Sequence, residues 1–374
     1  MLMGVHNNIY IDYYANTKRL HANLCGLVLI LLCISAKLLL DTILSIDVIF
    51  VNLLLYITLL TQLNIRRISL VFIVIPVLAL VATINSHAFS SLYALFVVYV
   101  LKRYKIQTIA QFNVIISSLF LCVMYFLIEL GYVEIDSVSY LNLDRIRYRR
   151  DFGFGNSNQF AIFIFSFLVN LWIAMRNKMR LLYFTVLVCM TVVISNYTDS
   201  RTYLLSSVCL IIFLVIRALR WDRCIAYKLF AVLLPLGALV FSLYIPYHDD
   251  YGIFNALSSG RISYYKQLLD SASIFHYIVG TGTVHEITID STYLHLIFDA
   301  GVIVCVSFYA LYYYVLFYKY QHLYYYMPIV LSILVYGTFE SYFINVANPG
   351  NIIIWLILLK CAFVRSCQVK VNIQ

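Results

Sequence analysis

The chain has 374 residues, 63% hydrophobic and only 11% charged, where a soluble domain carries about 25% charged residues. Composition therefore excludes an ordinary soluble enzyme, and non-alternating apolar runs such as 204–216 argue against a membrane β-barrel. The net charge of +9 has no soluble basic domain to carry it, so it is not a nucleic-acid footprint; the nine cysteines form no CxxC pair and read as apolar packing residues, not as a zinc site or disulfide framework.

In chain order, apolar runs of about 20 residues recur from 24 to 364, each enough to cross a bilayer. They predict an all-α integral membrane protein, a single polytopic domain over 1–374 with about twelve transmembrane helices. The predicted spans are roughly 22–41, 43–62, 68–85, 87–101, 109–131, 156–175, 181–197, 202–217, 227–246, 292–318, 324–343 and 349–364. Lys18 and Arg19 precede a first run that lacks a small-residue cleavage site, so that run reads as a retained span. With both termini cytoplasmic, seventeen of the 26 lysines and arginines fall inside, as the positive-inside rule requires. Lys37 and Lys360 fall within spans. Seven fall outside against that bias: Arg145, Arg147, Arg149, Arg150, Arg201, Arg261 and Lys266.

Two outward segments are long. The first, 132–155, is an arginine-rich loop. The second, 247–291, is a large loop between the ninth and tenth spans; its stretch 258–275 predicts an amphipathic helix, with Leu268, Leu269 and Ile274 on the apolar side, lying against the membrane surface.

Four polar groups carry chemistry. The first is RIRYRRDFGFGNSN over 145–158. Guanidinium forks match phosphate oxygens at any working pH, Gly153 and Gly155 permit a sharp turn or a close backbone approach, and Asn156 and Asn158 cap or open the next span. The alternative is a basic loop against anionic headgroups. The second is NYTDSRT over 196–202, a tight outward turn in which Asp199 is the candidate partner of Arg201. The third is Ser258-Ser259-Gly260-Arg261, where the serines are placed to cap a helix and Arg261 joins its N-terminus as an anion site. An arginine there opposes the helix dipole, which weakens a purely stabilising role.

The fourth group runs from Gly280-Thr281-Gly282 through DSTYLH (290–295) to Asp299-Ala300-Gly301. On a continuous helix His295 and Asp299 share a face, and Asp299 stands about 13 Å along the axis from Asp290. Asp290 or His295 is placed to take a proton from a hydroxyl; the alternative is a His295–Asp299 pair tying two spans together. Glu340, near the outer end of the eleventh span, joins them with less weight. There is no GxGxxG context, no GxxxxGK[ST] and no HExxH, so neither a nucleotide cofactor nor a metal is expected.

These groups, in this order, resemble the O-antigen polymerase (Wzy) family of bacterial inner membranes. Arg150 through Asn158 is similar to an Arg…GFGNPN-like start of a span, and Thr198-Asp199-Ser200-Arg201 to a T-x-SR turn. Ser259-Gly260-Arg261 matches in the large loop, and Gly280-Thr281-Gly282 with Asp290 to Leu294 and Asp299 to Gly301 resembles G-x-G…DNxYL…E-x-G. Ser157, Ser291 and Asp299 stand where proline, asparagine and glutamate are usual. O-antigen ligases are similar in architecture but carry His-Asn where this chain has Asp290-Ser291.

The resemblance implies a metal-independent glycosyltransferase without cofactor. It would join undecaprenyl-diphosphate-linked oligosaccharide repeats into O-antigen or a similar surface polysaccharide at the periplasmic face, with a chain-length co-polymerase as partner. Asp290, His295, Arg261 and Arg201 are the expected catalytic residues. Arg147, Arg149, Arg150, Asn156, Asn158, Asp199 and Gly260 are the expected diphosphate- and glycan-binding residues. The competing readings are an O-antigen ligase and a flippase for the lipid-linked repeat; secondary transporters favour internal repeats and midplane charges, and neither is evident here.

Overall fold

The computed structural model describes residues 24–43, 49–61, 96–135, 137–142, 145–175, 180–248, 252, 255, 260–273, 277–278, 280, 290–341 and 352–363. The predicted span 68–85 and most of 87–101 lie outside the described residues. The chain opens with helix α1 (Leu24–Leu40), which ends in a π turn at Leu38–Ile43, and α2 (Ile49–Thr61). Five helices are long and apolar enough to cross a membrane: α3 (Ile106–Glu129), α4 (Ser157–Met175), α5 (Arg180–Thr198), α6 (Arg201–Ala218) and α7 (Ile225–His248). Each falls within a few residues of a predicted span.

The helices differ in what they bury. About two thirds of α4 is buried, whereas α3, α5 and α7 turn large apolar side chains outward, among them Ile115, Leu119, Val192 and Leu233. In hydrocarbon such outward faces cost nothing; the backbone polar groups are what must be satisfied internally. Polar ties run between helices instead. Asn113 Nδ2 donates to Asn170 Oδ1 at 3.1 Å, and Gln107 Nε2 donates to the Ala174 carbonyl at 3.2 Å. The start of α3 therefore meets the end of α4, and the two run antiparallel.

The predicted loop 132–155 is not irregular, and the fold is not purely α-helical. Strands β1 (Ser137–Asn142) and β2 (Arg145–Arg150) pair antiparallel, Ser137 opposite Arg150 and Asn142 opposite Arg145. The sequence of β2 alternates arginine with Ile146 and Tyr148, which is strand periodicity written in charged residues. A buried turn then feeds α4. Gly153 N donates to Asp151 Oδ1 at 3.0 Å, with Phe152 at φ 52° and Gly153 at φ 79°. A Cβ on Gly153 would stand 2.5 Å from Val133 Cγ1 and 3.0 Å from Met124 Cε. The close approach that this glycine permits is to the protein's own side chains. Phe154 beside it packs on Phe120, Phe160 and Phe163.

Helix α7 contains Pro235, which cannot donate to the carbonyl of Ala231. Tyr312 OH donates to that carbonyl at 2.7 Å, Tyr313 OH to Val232 O at 2.9 Å and Tyr309 OH to Pro235 O at 2.9 Å. Three tyrosines of one helix thus satisfy the backbone that the proline disturbs.

The large loop contributes α8 (Arg261–Ser271). Its Ile262, Tyr265, Leu268 and Leu269 are buried in contact with α7, and Tyr247 OH donates to Asp270 Oδ1 at 3.1 Å. The predicted amphipathic helix is therefore docked on the bundle through its apolar side, not laid on the membrane by it; Ile274 lies outside the described residues.

The predicted tenth span is broken. One α turn, α9 (Thr292–Leu294), runs into a π segment at His295–Asp299. Gly301 at φ 89°, ψ 158° interrupts the chain before α10 (Val302–Tyr318), a conformation open essentially only to glycine. Asp290 thus precedes the helix, and the expected 13 Å spacing to Asp299 does not apply.

The short α11 (Tyr320–Leu323) leads to α12 (Met327–Phe339), almost wholly buried and packed closely on α6. Glu340 follows it in extended conformation, φ −143° and ψ 149°. Helix α13 (Ile353–Phe363) closes the described chain; its Lys360 Nζ donates to the Tyr104 carbonyl.

Candidate functional site

Because α5 and α6 are joined by the tight turn 199–200, the end of α5 and the start of α6 share one end of the bundle. The start of α8, the turn before α9 and the end of α12 meet there too. The convergence centres on one side chain. Arg261 Nε donates to Asp290 Oδ2 at 2.6 Å, Nη2 to Glu340 Oε1 at 2.6 Å and Nη1 to Thr202 Oγ1 at 3.4 Å. Thr202 Oγ1 in turn lies 3.4 Å from Glu340 Oε1. One planar guanidinium with fixed donor directions holds three groups from three separate segments.

Local chemistry explains why the segments stop here. The N-cap of α8 is Gly260 at φ 86°, with no side-chain cap of its own. The orphan amide of Ser263 is taken by Asn255 Oδ1 at 3.0 Å, and Gly260 N donates to the Asn255 carbonyl at 2.8 Å. Asn255 thus satisfies amides at this helix start; the predicted capping residues Ser258 and Ser259 lie outside the described residues. Thr292 Oγ1 donates to the Glu340 carbonyl at 2.7 Å, which ties α9 to the end of α12, and Ser291 Oγ lies 3.2 Å from Ser242 Oγ of α7.

The electrostatics are unequal. Glu340 is the most buried of the three charged groups, its side chain 6% exposed, against 17% for Arg261 and 28% for Asp290. Burial works against the Arg261 charge, but Glu340 and Asp290 outweigh it and hold its pKa above the ordinary arginine value. One cation faces two carboxylates, so with both ionised the cluster carries one uncompensated negative charge. Tyr265, one turn along α8, is buried; burial raises its phenol pKa against the opposing pull of Arg261, and the ring stays neutral.

The other predicted residues distribute around this core. Arg201 is the first residue of α6, beside the Ser200 cap that accepts from Tyr203 N. Its side chain is exposed and makes no ion pair among the described residues. The expected Arg201–Asp199 pair is not formed; Asp199, at φ 47°, stands 4.0 Å from Arg149 Nε. Arg150 lies over the Tyr197 ring, 5.5 Å from its centroid. These two contacts set the basic strand on the end of α5. Arg147 belongs to β2, and its side chain lies outside the described residues, as does that of Asp299. Asn156 is exposed, its Oδ1 accepting from Asn158 N at 2.8 Å at the start of α4; both asparagines serve the helix start. His295 opens the π segment, half-buried, its amide donating to Ser291 O at 3.0 Å.

Two features carry more weight in the structure than in the sequence. Glu340 ranks behind Asp290 and His295 in the sequence, yet it is the carboxylate that Arg261 buries. The only sequence signal was an acid ending an apolar run. Thr202 looked like part of a turn, and its contact with Arg261, 59 residues away, left no local mark. Gly280 is buried with φ 86°, while Thr281 and Gly282 lie outside the described residues. No protein-family model, curated protein or solved structure matches the chain.

Proposed function

We propose that the chain is a membrane glycosyltransferase that joins polyprenyl-diphosphate-linked oligosaccharide repeats into a surface polysaccharide, in the manner of O-antigen polymerases. The observation that carries this reading is the buried Arg261–Asp290–Glu340 cluster at the end of an apolar bundle, beside the arginine-bearing hairpin. A lipid-anchored donor presents its diphosphate at the membrane edge, where such a cluster would meet it.

The chemistry follows from the charges. An acceptor hydroxyl attacks the anomeric carbon of the growing chain; the bond from that carbon to the diphosphate oxygen breaks, and the electron pair leaves on the diphosphate. The hydroxyl proton needs an acceptor, and Asp290, the more accessible of the two carboxylates sharing one guanidinium, is the base. Arg261 positions both carboxylates. The charge growing on the leaving diphosphate falls to the cations at the same end of the bundle: Arg201 first, with Arg149 and Arg150 of the hairpin. His295 stands close in sequence to Asp290 as the second candidate base. The bacterial inner membrane, with the cluster facing the periplasm, is the setting this reading requires, and a chain-length co-polymerase is the partner it implies.

The test is the surface-polysaccharide pattern of the host with the gene deleted and then restored. A polymerase leaves lipid A–core carrying a single repeat on deletion and a full ladder on restoration. Loss of even the single repeat on deletion would assign the chain to transport or ligation instead.

A further inference from the structure

The opposite end of the bundle holds a second cationic assembly that the polymerase reading does not use. The end of α6, the following 3₁₀ turn (Trp221–Arg223) and the start of α5 enclose a cavity of about 540 Å³, lined by Arg180, Arg217, Arg220, Arg223, Trp172 and Tyr324 together with apolar side chains of α5 and α6. At 1.5 Å per residue, Arg217 lies roughly 22 Å along α6 from Thr202, so cavity and catalytic cluster occupy opposite ends of one membrane-crossing helix. The volume is in the range of small-molecule sites, about 300–1,000 Å³.

The lining side chains bring four guanidiniums and no carboxylate. Asp222, the acid nearest in sequence, is buried and is not among them. Arg217 is committed to the fold: Nη1 donates to the carbonyls of Tyr324 and Tyr325, and its guanidinium lies 4.5 Å from the Tyr325 ring centroid. Arg180, Arg220 and Arg223 are exposed; Arg223 also meets the Tyr324 hydroxyl and the charge of Asp222. Like-charged guanidiniums gathered around one cavity are relieved by a ligand rich in acceptor oxygens.

We infer that this cavity is a binding site for an anionic phosphate group, held by Arg180, Arg220 and Arg223. Guanidinium forks suit phosphate geometry. The position at a helix end and the apolar share of the wall fit the headgroup of an anionic phospholipid; a free phosphate has the same recognition chemistry without the apolar part.

The full-length protein in nanodiscs of equal phosphatidylglycerol and phosphatidylcholine separates these sources, with lipids retained after release counted by native mass spectrometry. A calorimetric titration with inorganic phosphate is run in parallel in phosphatidylcholine alone. Four proteins are compared: wild type, Arg180→Gln with Arg220→Gln, Arg223→Gln, and Lys105→Gln, a cation at the same end outside the cavity. The expected result is phosphatidylglycerol enrichment that falls about tenfold, or about 1.4 kcal/mol, in the double variant, falls less in Arg223→Gln and is unchanged in Lys105→Gln. Saturable phosphate binding with the same variant pattern, without lipid preference, assigns the site to the free anion. Binding of neither probe, or equal losses in Lys105→Gln, overturns the site. Should the double variant fail to fold, retention by Arg223→Gln decides, and wild-type retention there overturns it.

Discussion

The two ends of the bundle treat arginine in opposite ways. At one end Arg261 is enclosed with Asp290 and Glu340, one cation between two carboxylates. At the other, Arg180, Arg220 and Arg223 line a cavity to which the described residues contribute no carboxylate, with the buried Asp222 acting on Arg223 alone. An arginine paired from within orients other groups. Arginines gathered around a space with no carboxylate in its wall suit an anion from outside. The hairpin lies between these cases, with Arg149 at the limit of ion-pair distance from Asp199 and Arg150 on an aromatic face, near Arg201, which makes no ion pair among the described residues.

Stability measurements break or sharpen this contrast. Arg261→Ala has the largest expected effect, because it leaves Asp290 and the buried Glu340 facing each other without a cation. A loss of about 3–5 kcal/mol is expected, read as a lowered midpoint of thermal unfolding in detergent. Adding Glu340→Gln should recover part of it, and a fully additive double variant would show that the two do not interact. Gly153→Ala comes next, at about 1–3 kcal/mol, since the new methyl overlaps Val133 and the left-handed backbone disfavours alanine. Val133→Ala in the same chain should relieve the steric share only. Tyr312→Phe, which strands the Ala231 carbonyl beside Pro235, should cost about 1 kcal/mol. The smallest effect belongs to Arg180→Gln, within about 0.5 kcal/mol, because that side chain opposes the dipole of α5 and neutralises no buried charge. A destabilisation there as large as that of Arg261→Ala would erase the distinction between the ends.

Long apolar runs made the five helices long and apolar enough to cross a membrane legible, because length and hydrophobicity are properties of contiguous sequence. Cations that the sequence assigns to two different sides also separate in the described bundle. Lys105, Arg180 and Arg217 gather at one end of the described bundle, Arg149, Arg201 and Arg261 at the other. The hairpin was hidden because four arginines in six residues dominate any reading of charge and mask the alternation that makes β2 a strand. The break at Gly301 was hidden because the residues on either side are apolar enough to be one span, and a single backbone angle ends it. Arg261 and Asp290 are each legible as candidates in the sequence, but their pairing is not. The partners of Arg261, Asp290 and Glu340, lie 29 and 79 residues from it, and nothing in the local sequence fixes those contacts. The resemblance to O-antigen polymerases rests on short motifs over 150–301, and Glu340 lies beyond them.

The most direct test of the catalytic assignment is the polysaccharide ladder of the deleted host restored separately with Asp290→Asn and Glu340→Gln at wild-type protein levels. Both changes keep side-chain size and remove one carboxylate charge from the Arg261 cluster. The expected result is a single repeat on lipid A–core with Asp290→Asn and a shortened ladder with Glu340→Gln. A full-length ladder from both variants would contradict a proton-accepting role for this cluster.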